Sequence, residues 1–150
     1  MIRDDIKAAQ IAAMKARETG TVNATRLIQA AIKNRDIELR TASAMPEDDV
    51  LVTEVMQKMI KQRRESVELY QKGGRPELAD AELAEIAVIE RFLPKQMNEA
   101  ETAAAIDAIA TELGATSVKD MGRVMAALKE RHAGELDMSK ASALVKARLG

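Results

Sequence analysis

Apolar residues recur at steps of three and four along most of this chain, the period of an amphipathic helix, and β-branched residues are scattered rather than gathered into alternating runs. No strand is predicted. The first helix runs from about Ile2 to Arg17, with Ile6, Ala9, Ala13 and Met14 on a shallow apolar stripe. Its acids, Asp4 and Asp5, lie at the start and its bases, Lys15 and Arg17, at the end, as the helix dipole favours. Glu18-Thr19-Gly20-Thr21 breaks it. A second helix, capped by Thr21 or Asn23 and reaching about Arg40, turns Ala24, Leu27, Ile28, Ala31, Ile32 and Leu39 inward. After a loop from Thr41 to Met45, Pro46-Glu47-Asp48-Asp49 opens a third helix that extends to about Lys72. Its buried side is Val52, Val55, Met56, Met59, Ile60, Val67 and Tyr70, so helices two and three are expected to form an antiparallel hairpin.

Gly73-Gly74-Arg75-Pro76 combines a glycine stop with a proline start, giving a fourth helix from Pro76 to Phe92. Leu78, Leu83, Ile86, Ala87, Val88, Ile89 and Phe92 cover more than one face of it, which places it centrally, between the hairpin and the C-terminal tail. Phe92-Leu93-Pro94-Lys95-Gln96 then divides the chain, because Pro94 lacks a backbone donor and steers Leu93 away from helix. The expected division is an N-terminal helical region, 1–94, and a C-terminal three-helix tail, 95–150. In the tail, Asn98 and Glu101 have capping-box spacing, Ile106, Ile109, Ala110 and Leu113 form a stripe, and Gly114 ends the helix. Ser117 caps the next, with Asp120 at its third position and Val118, Met121, Val124, Met125 and Leu128 inward. Gly122 is expected to let a neighbouring helix come close, so that Gly122→Leu would cost about 1–3 kcal/mol. Gly134 ends that helix, and Asp137 or Met138 opens a last one with Ala141, Leu144, Val145 and Leu149 buried. The predicted fold is all-α: an N-terminal helical bundle with a long helical hairpin, followed by a small C-terminal three-helix unit.

Composition changes this picture little. Tyr70 and Phe92 are the whole aromatic complement, so the core must be aliphatic, filled by Ala, Leu, Ile, Val and nine Met. Without cysteine there is neither a disulfide framework nor thiolate chemistry. No apolar stretch approaches the roughly 18 residues of a spanning helix, and Met1-Ile2-Arg3-Asp4-Asp5 is too acidic for a signal peptide, so a cytoplasmic protein without membrane is expected; with one histidine and no cysteine to share a metal, no metal is expected either. A net charge of -1 argues against a generally basic surface but leaves room for a local patch.

Catalytic groupings are hard to find. His132 is the only histidine and stands at a helix end, Asp4-Asp5 and Asp48-Asp49 sit where the dipole explains them, and Gly73-Gly74 lacks the spacing of a phosphate loop. No catalytic residue and no cofactor is assigned. Lys58, Lys61, Arg63 and Arg64 fan around the third helix among Glu65 and Glu68, which reads as a solvated face. In the tail the charges segregate: residues 98 to 114 hold four acids and no base, whereas residues 119 to 150 hold seven bases against four acids, 7 − 4 = +3. Lys119, Arg123, Lys129, Arg131, Lys140 and Lys146, with Arg148 beside them, are therefore candidate phosphate contacts. The competing expectation is that the acidic and basic helices pair with each other. With so few aromatic residues, base stacking is not available, and a nucleic acid would be held by backbone or shape.

Phe92-Leu93-Pro94-Lys95-Gln96, Lys119-Asp120-Met121-Gly122-Arg123-Val124-Met125, Gly134, and the closing Leu144-Val145-Lys146 with Leu149 resemble the pattern of the YqeY proteins. Leu27 to Ala31 and Gln62-Arg63-Arg64-Glu65-Ser66 extend the resemblance upstream, whereas Glu135-Leu136-Asp137-Met138 departs from the more glycine-like turn usual there. YqeY proteins are stand-alone relatives of the tail domain of the B subunit of glutamine-dependent aspartyl/glutamyl-tRNA amidotransferase. The resemblance implies a helical bundle with a three-helix tail, Lys119, Gly122 and Arg123 as characteristic positions, and tRNA as a candidate partner, with an amidotransferase or another translation protein beside it. It implies a non-catalytic adaptor that binds tRNA or assists tRNA-dependent amidation, and any link to a carbon–nitrogen ligase with glutamine as amido-N-donor rests on it alone. The alternative expectation is a protein–protein interaction module with no role on RNA.

Overall fold

Good helix formers at three- and four-residue spacing give seven α-helices, two short 3-10 turns and no strand in the computed structural model, which describes every residue from Met1 to Gly150. The fold is all-α, as the periodicity predicts. It falls into two units, Met1–Leu93 and Pro94–Gly150, each with its own apolar core.

The first unit holds α1 (Ile2–Ala16), α2 (Thr19–Glu38), α3 (Asp48–Lys72) and α4 (Pro76–Glu90). Ile6, Ile28, Ile32, Val52, Met56, Ile86 and Ile89 meet in its centre, with Phe92 and Leu93 half-buried against them. The most extensive packing pairs α3 with α4 across the Gly73–Arg75 turn and α1 with α2, while α2 and α3 touch more narrowly. The dominant hairpin is therefore α3–α4 rather than the expected α2–α3, because a three-residue connection brings its helices together along more of their length. Gly20 does not break a helix either. Arg17 alone makes the turn, in the left-handed conformation (φ 59), with the Arg17 N–H donating to Met14 O and the Glu18 N–H to Ala13 O (2.9 Å), and α2 has already begun at Thr19.

Several residues expected inside are exposed: Met14, Leu27, Leu83 and Val118. Each lies beside a buried stripe narrower than its apolar pattern suggests. In α4, Ile86 and Ile89 are buried while Leu83 and Ala87, four residues apart on another side, are open to solvent. That helix ends at Glu90, two residues before Phe92, and Arg91–Leu93 form the turn after it.

The second unit holds α5 (Glu99–Leu113), α6 (Met121–Arg131) and α7 (Met138–Leu149), each packed on the other two. Ile106, Ile109, Val124, Leu128, Ala141 and Val145 form its core, joined by Leu136 from the turn before α7. Asn98 Oδ1 accepts the Glu101 N–H (2.8 Å) while Glu101 Oε1 accepts the Asn98 N–H (3.3 Å), a complete capping box. Gly114 (φ 64) closes α5 by the same bond pattern that Arg17 makes after α1, with Ala115 N–H donating to Ala110 O (2.9 Å).

Two expectations about α6 are corrected. Ser117 precedes a 3-10 turn, Val118–Asp120, and its side chain caps nothing; the Asp120 carboxylate instead accepts the Thr116 N–H (3.1 Å). Gly122 is exposed, and a Cβ placed on it would meet nothing within 4 Å. Close helix packing is not what this glycine serves.

Candidate functional site

The six basic residues singled out in the tail divide into two groups once their partners are seen. Lys119 lies in the 3-10 turn, Lys129 in the last turn of α6, Lys140 in the first turn of α7 and Lys146 in its last. All four are exposed, and none is held in an ion pair. Lys129 and Lys146 lie where a helix end carries partial negative charge, which favours a cation there.

The arginines are occupied. Arg131, at the end of α6, reaches α5 and donates two parallel bonds to Glu112, Nη1 to Oε2 at 2.6 Å and Nη2 to Oε1 at 2.9 Å. This fork holds the Glu112 carboxyl below the usual carboxylate range and raises the guanidinium above its own. Arg148 Nε, on α7, donates to Asp107 Oδ1 (2.8 Å), again on α5. Arg123 Nη2 donates to the carbonyl oxygen of Leu113 (2.9 Å), at the C-terminal end of α5 where carbonyls lack partners within the helix, and Nη1 reaches Asp120 Oδ1 (3.3 Å). Arg123 is thus a helix-end clamp. The acidic helix and the basic helices do pair, through their arginines, and the lysines remain unpaired.

The segment that carries the family pattern is explained by hydrogen bonds. Phe92 and Leu93 pack on the first core. After Pro94, Gln96 Nε2 donates to Pro94 O (2.9 Å) and to Gly134 O (2.7 Å), and the Met97 N–H donates to Glu135 O (2.6 Å). Gly134 has φ 77, a left-handed conformation that turns its carbonyl into this bond pair without steric cost. His132 Nδ1 lies 2.9 Å from Glu135 Oε2 and braces the same turn, and Asp137 caps α7 by accepting the Ser139 N–H (2.8 Å). In the Glu135-Leu136-Asp137 turn Leu136 is buried and both acids are used.

No three His, Asp or Glu side chains stand close enough together to hold a metal ion. In the first unit, the two arginines of the basic cluster of α3 are engaged within the unit: Arg63 Nε donates to Glu85 (2.8 Å) and Arg64 Nη2 to Glu90 (3.1 Å), both on α4. Arg3, which the sequence pattern did not mark, is a hub. It donates to Asp36 on α2 (2.8 Å) and to Asp48 on α3 (2.6 Å), while Asp49 accepts the Ile2 N–H (3.0 Å). Partners 33 and 45 residues away leave no signal in local spacing.

No helix is long and apolar enough to cross a membrane. Comparison with known proteins finds that residues 3–149 match the model of the Yqey-like protein family. The chain is 32% identical over 118 residues to altered inheritance of mitochondria protein 41, mitochondrial, of Eremothecium gossypii, covering 77% of this chain and 60% of that protein. It is 31% identical over 114 residues to the protein of the same name from Lachancea thermotolerans, covering 75% of this chain and 57% of that protein. The chain thus spans somewhat over half the length of these relatives, and their names place them in mitochondria rather than in the expected cytoplasm. A family match along almost the whole chain, together with a linker glutamine hydrogen-bonded to the glycine turn, leads to one conclusion: this chain belongs to the YqeY-like family.

Proposed function

We propose that the chain is a non-catalytic helical adaptor that binds tRNA through Lys119, Lys129, Lys140 and Lys146, and that it assists tRNA-dependent amidation as a partner of an amidotransferase or another translation protein. The observation that carries this reading is the survival of four exposed, unpaired lysines on α6, α7 and the turn before them after every arginine there has been engaged within the unit. Ammonium groups on flexible stems suit a phosphate backbone, which offers charge rather than a fixed geometry. Support for tRNA in particular comes from the resemblance of the tail to that of the amidotransferase B subunit. The proposed compartment is the cytoplasm.

The test is binding of purified protein to bulk tRNA, with Lys119→Glu/Lys129→Glu/Lys140→Glu/Lys146→Glu as the variant. Arg123 is left intact because its loss would disturb the end of α5. The variant is expected to lose binding while keeping its helical circular dichroism. Equal binding by both proteins would refute the assignment. A second reading, docking of a protein partner, is favoured by Ile11 and Met14, exposed one turn apart on α1. Retention of a translation protein by Ile11→Ser/Met14→Ser, at wild-type level, would count against it.

A further inference from the structure

We infer that Asp107 and Glu112 act as internal stand-ins for phosphates, holding Arg148 and Arg131 in reserve as two further nucleic-acid contacts that the chain releases when its own carboxylates are displaced. This rests on the RNA-binding reading above and adds a control to that same site. A guanidinium binds a carboxylate and a phosphate through the same fork of N–H donors, so whatever holds Arg131 on Glu112 at 2.6 and 2.9 Å would also hold it on a phosphodiester. Asp107 and Glu112 are five residues apart, about 140° around an α-helix, and so serve different seams: Asp107 meets α7 and Glu112 meets α6.

Both pairs are open to an incoming ligand. The side chains of Arg131 and Glu112 are 44% and 58% exposed, and those of Arg148 and Asp107 are 44% and 64% exposed. Solvated ion pairs of this kind contribute little to stability, so exchanging one for a phosphate costs the fold little. A polyanion also gains from counterion release at each phosphate neutralised, a gain that the internal carboxylate does not have. Residues 98 to 114 carry four acids and no base, and two of the four are these partners, while Glu101 serves the capping box. The acidity of α5 is thereby accounted for as a competitor built beside the basic helices. In the resting chain the lysines make the first contacts, and the arginines add theirs once the acids are outcompeted.

The experiment compares binding of bulk tRNA, at two salt concentrations, by wild type, Asp107→Asn/Glu112→Gln, and Glu68→Gln/Glu99→Gln. The last changes the net charge equally but leaves both ion pairs in place. A fourth protein adds Arg131→Ala/Arg148→Ala to the first double variant. Asp107→Asn/Glu112→Gln is expected to bind about fivefold tighter at low salt, with a salt dependence steeper by up to about 0.9 per added contact. The charge control should stay near wild type, and removing the two arginines should abolish the gain. If the first double variant does not fold, Glu112→Gln alone frees Arg131 and carries the same comparison. No tightening, or equal tightening in the charge control, while wild type still binds, would overturn the inference and leave the lysine assignment in place. Binding by the double variant but not by wild type would uphold the inference and refute the lysines as sufficient. Absence of binding in every protein at low salt would refute both.

Discussion

Arg17 carries a left-handed backbone conformation that the chain gives elsewhere to Gly74 and Gly114 in the same kind of helix ending. For a residue with a Cβ that conformation costs about 1–2 kcal/mol, part of which glycine gives back through the greater freedom of the unfolded chain. Arg17 makes no ion pair that the substitution would forfeit. Arg17→Gly is therefore expected to stabilise the protein by about 0.5–1 kcal/mol, read as a higher urea midpoint; a lower midpoint would show that the arginine does more than turn the chain. Gly122 is the opposite case. With open space around it and a helical backbone, Gly122→Ala should raise stability by about 0.5 kcal/mol, whereas a tightly packed site would show a loss. A glycine among apolar residues looks the same in sequence whether it admits a neighbour or merely lies in a first turn. Only the surroundings separate the two.

Among the elements, Arg3 joins the start of α1 to α2 and α3 by two ion pairs, and the pairing holds the Asp36 carboxyl below its ordinary value of 3.8. A depressed carboxylate contributes stability that is complete above that value and is lost as the pH falls through the folded one; Arg3, raised by the same partners, would lose its share only at extreme alkaline pH. Arg3→Ala is expected to cost roughly 1 kcal/mol at pH 7, a modest figure because solvent screens side chains this exposed. The difference from wild type should shrink below about pH 4 as Asp36 protonates. A difference that stays constant between pH 7 and pH 3, measured by denaturant unfolding, would contradict the role given to this ion pair. At this scale the periodicity of the sequence located every helix, and Asn98 with Glu101 marked a start that the capping box bears out. The pairing of helices was less legible. Leu27 and Leu83 have the right spacing to be core, yet whether such a residue faces a neighbour depends on where the neighbour lies, and loop length, three residues before α4, decided that more than apolar content.

Across the whole molecule, a net charge of -1 conceals how the charge is arranged. In the second unit, acids and arginines cancel one another through contacts 19 and 41 residues apart, and an excess of free ammonium groups is left on α6, α7 and the turn before them. Segregation of charge was visible along the chain, but which bases would be spent internally was not, because ion pairing between helices depends on their packing. Arg123 shows the difference most sharply: it stands in the most characteristic stretch of the family pattern, and it clamps the end of α5. Contact between the remaining lysines and phosphates is best tested by the affinity for bulk tRNA as a function of salt, for wild type and for the four-lysine variant. The expected result is a linear fall of log affinity with log salt, with a slope of at least about −3 to −4 for the four lysine contacts, steeper where the two arginines join them, and no measurable binding by the variant. A wild-type affinity that does not change with salt, or that the variant retains, would contradict the proposed role of these lysines.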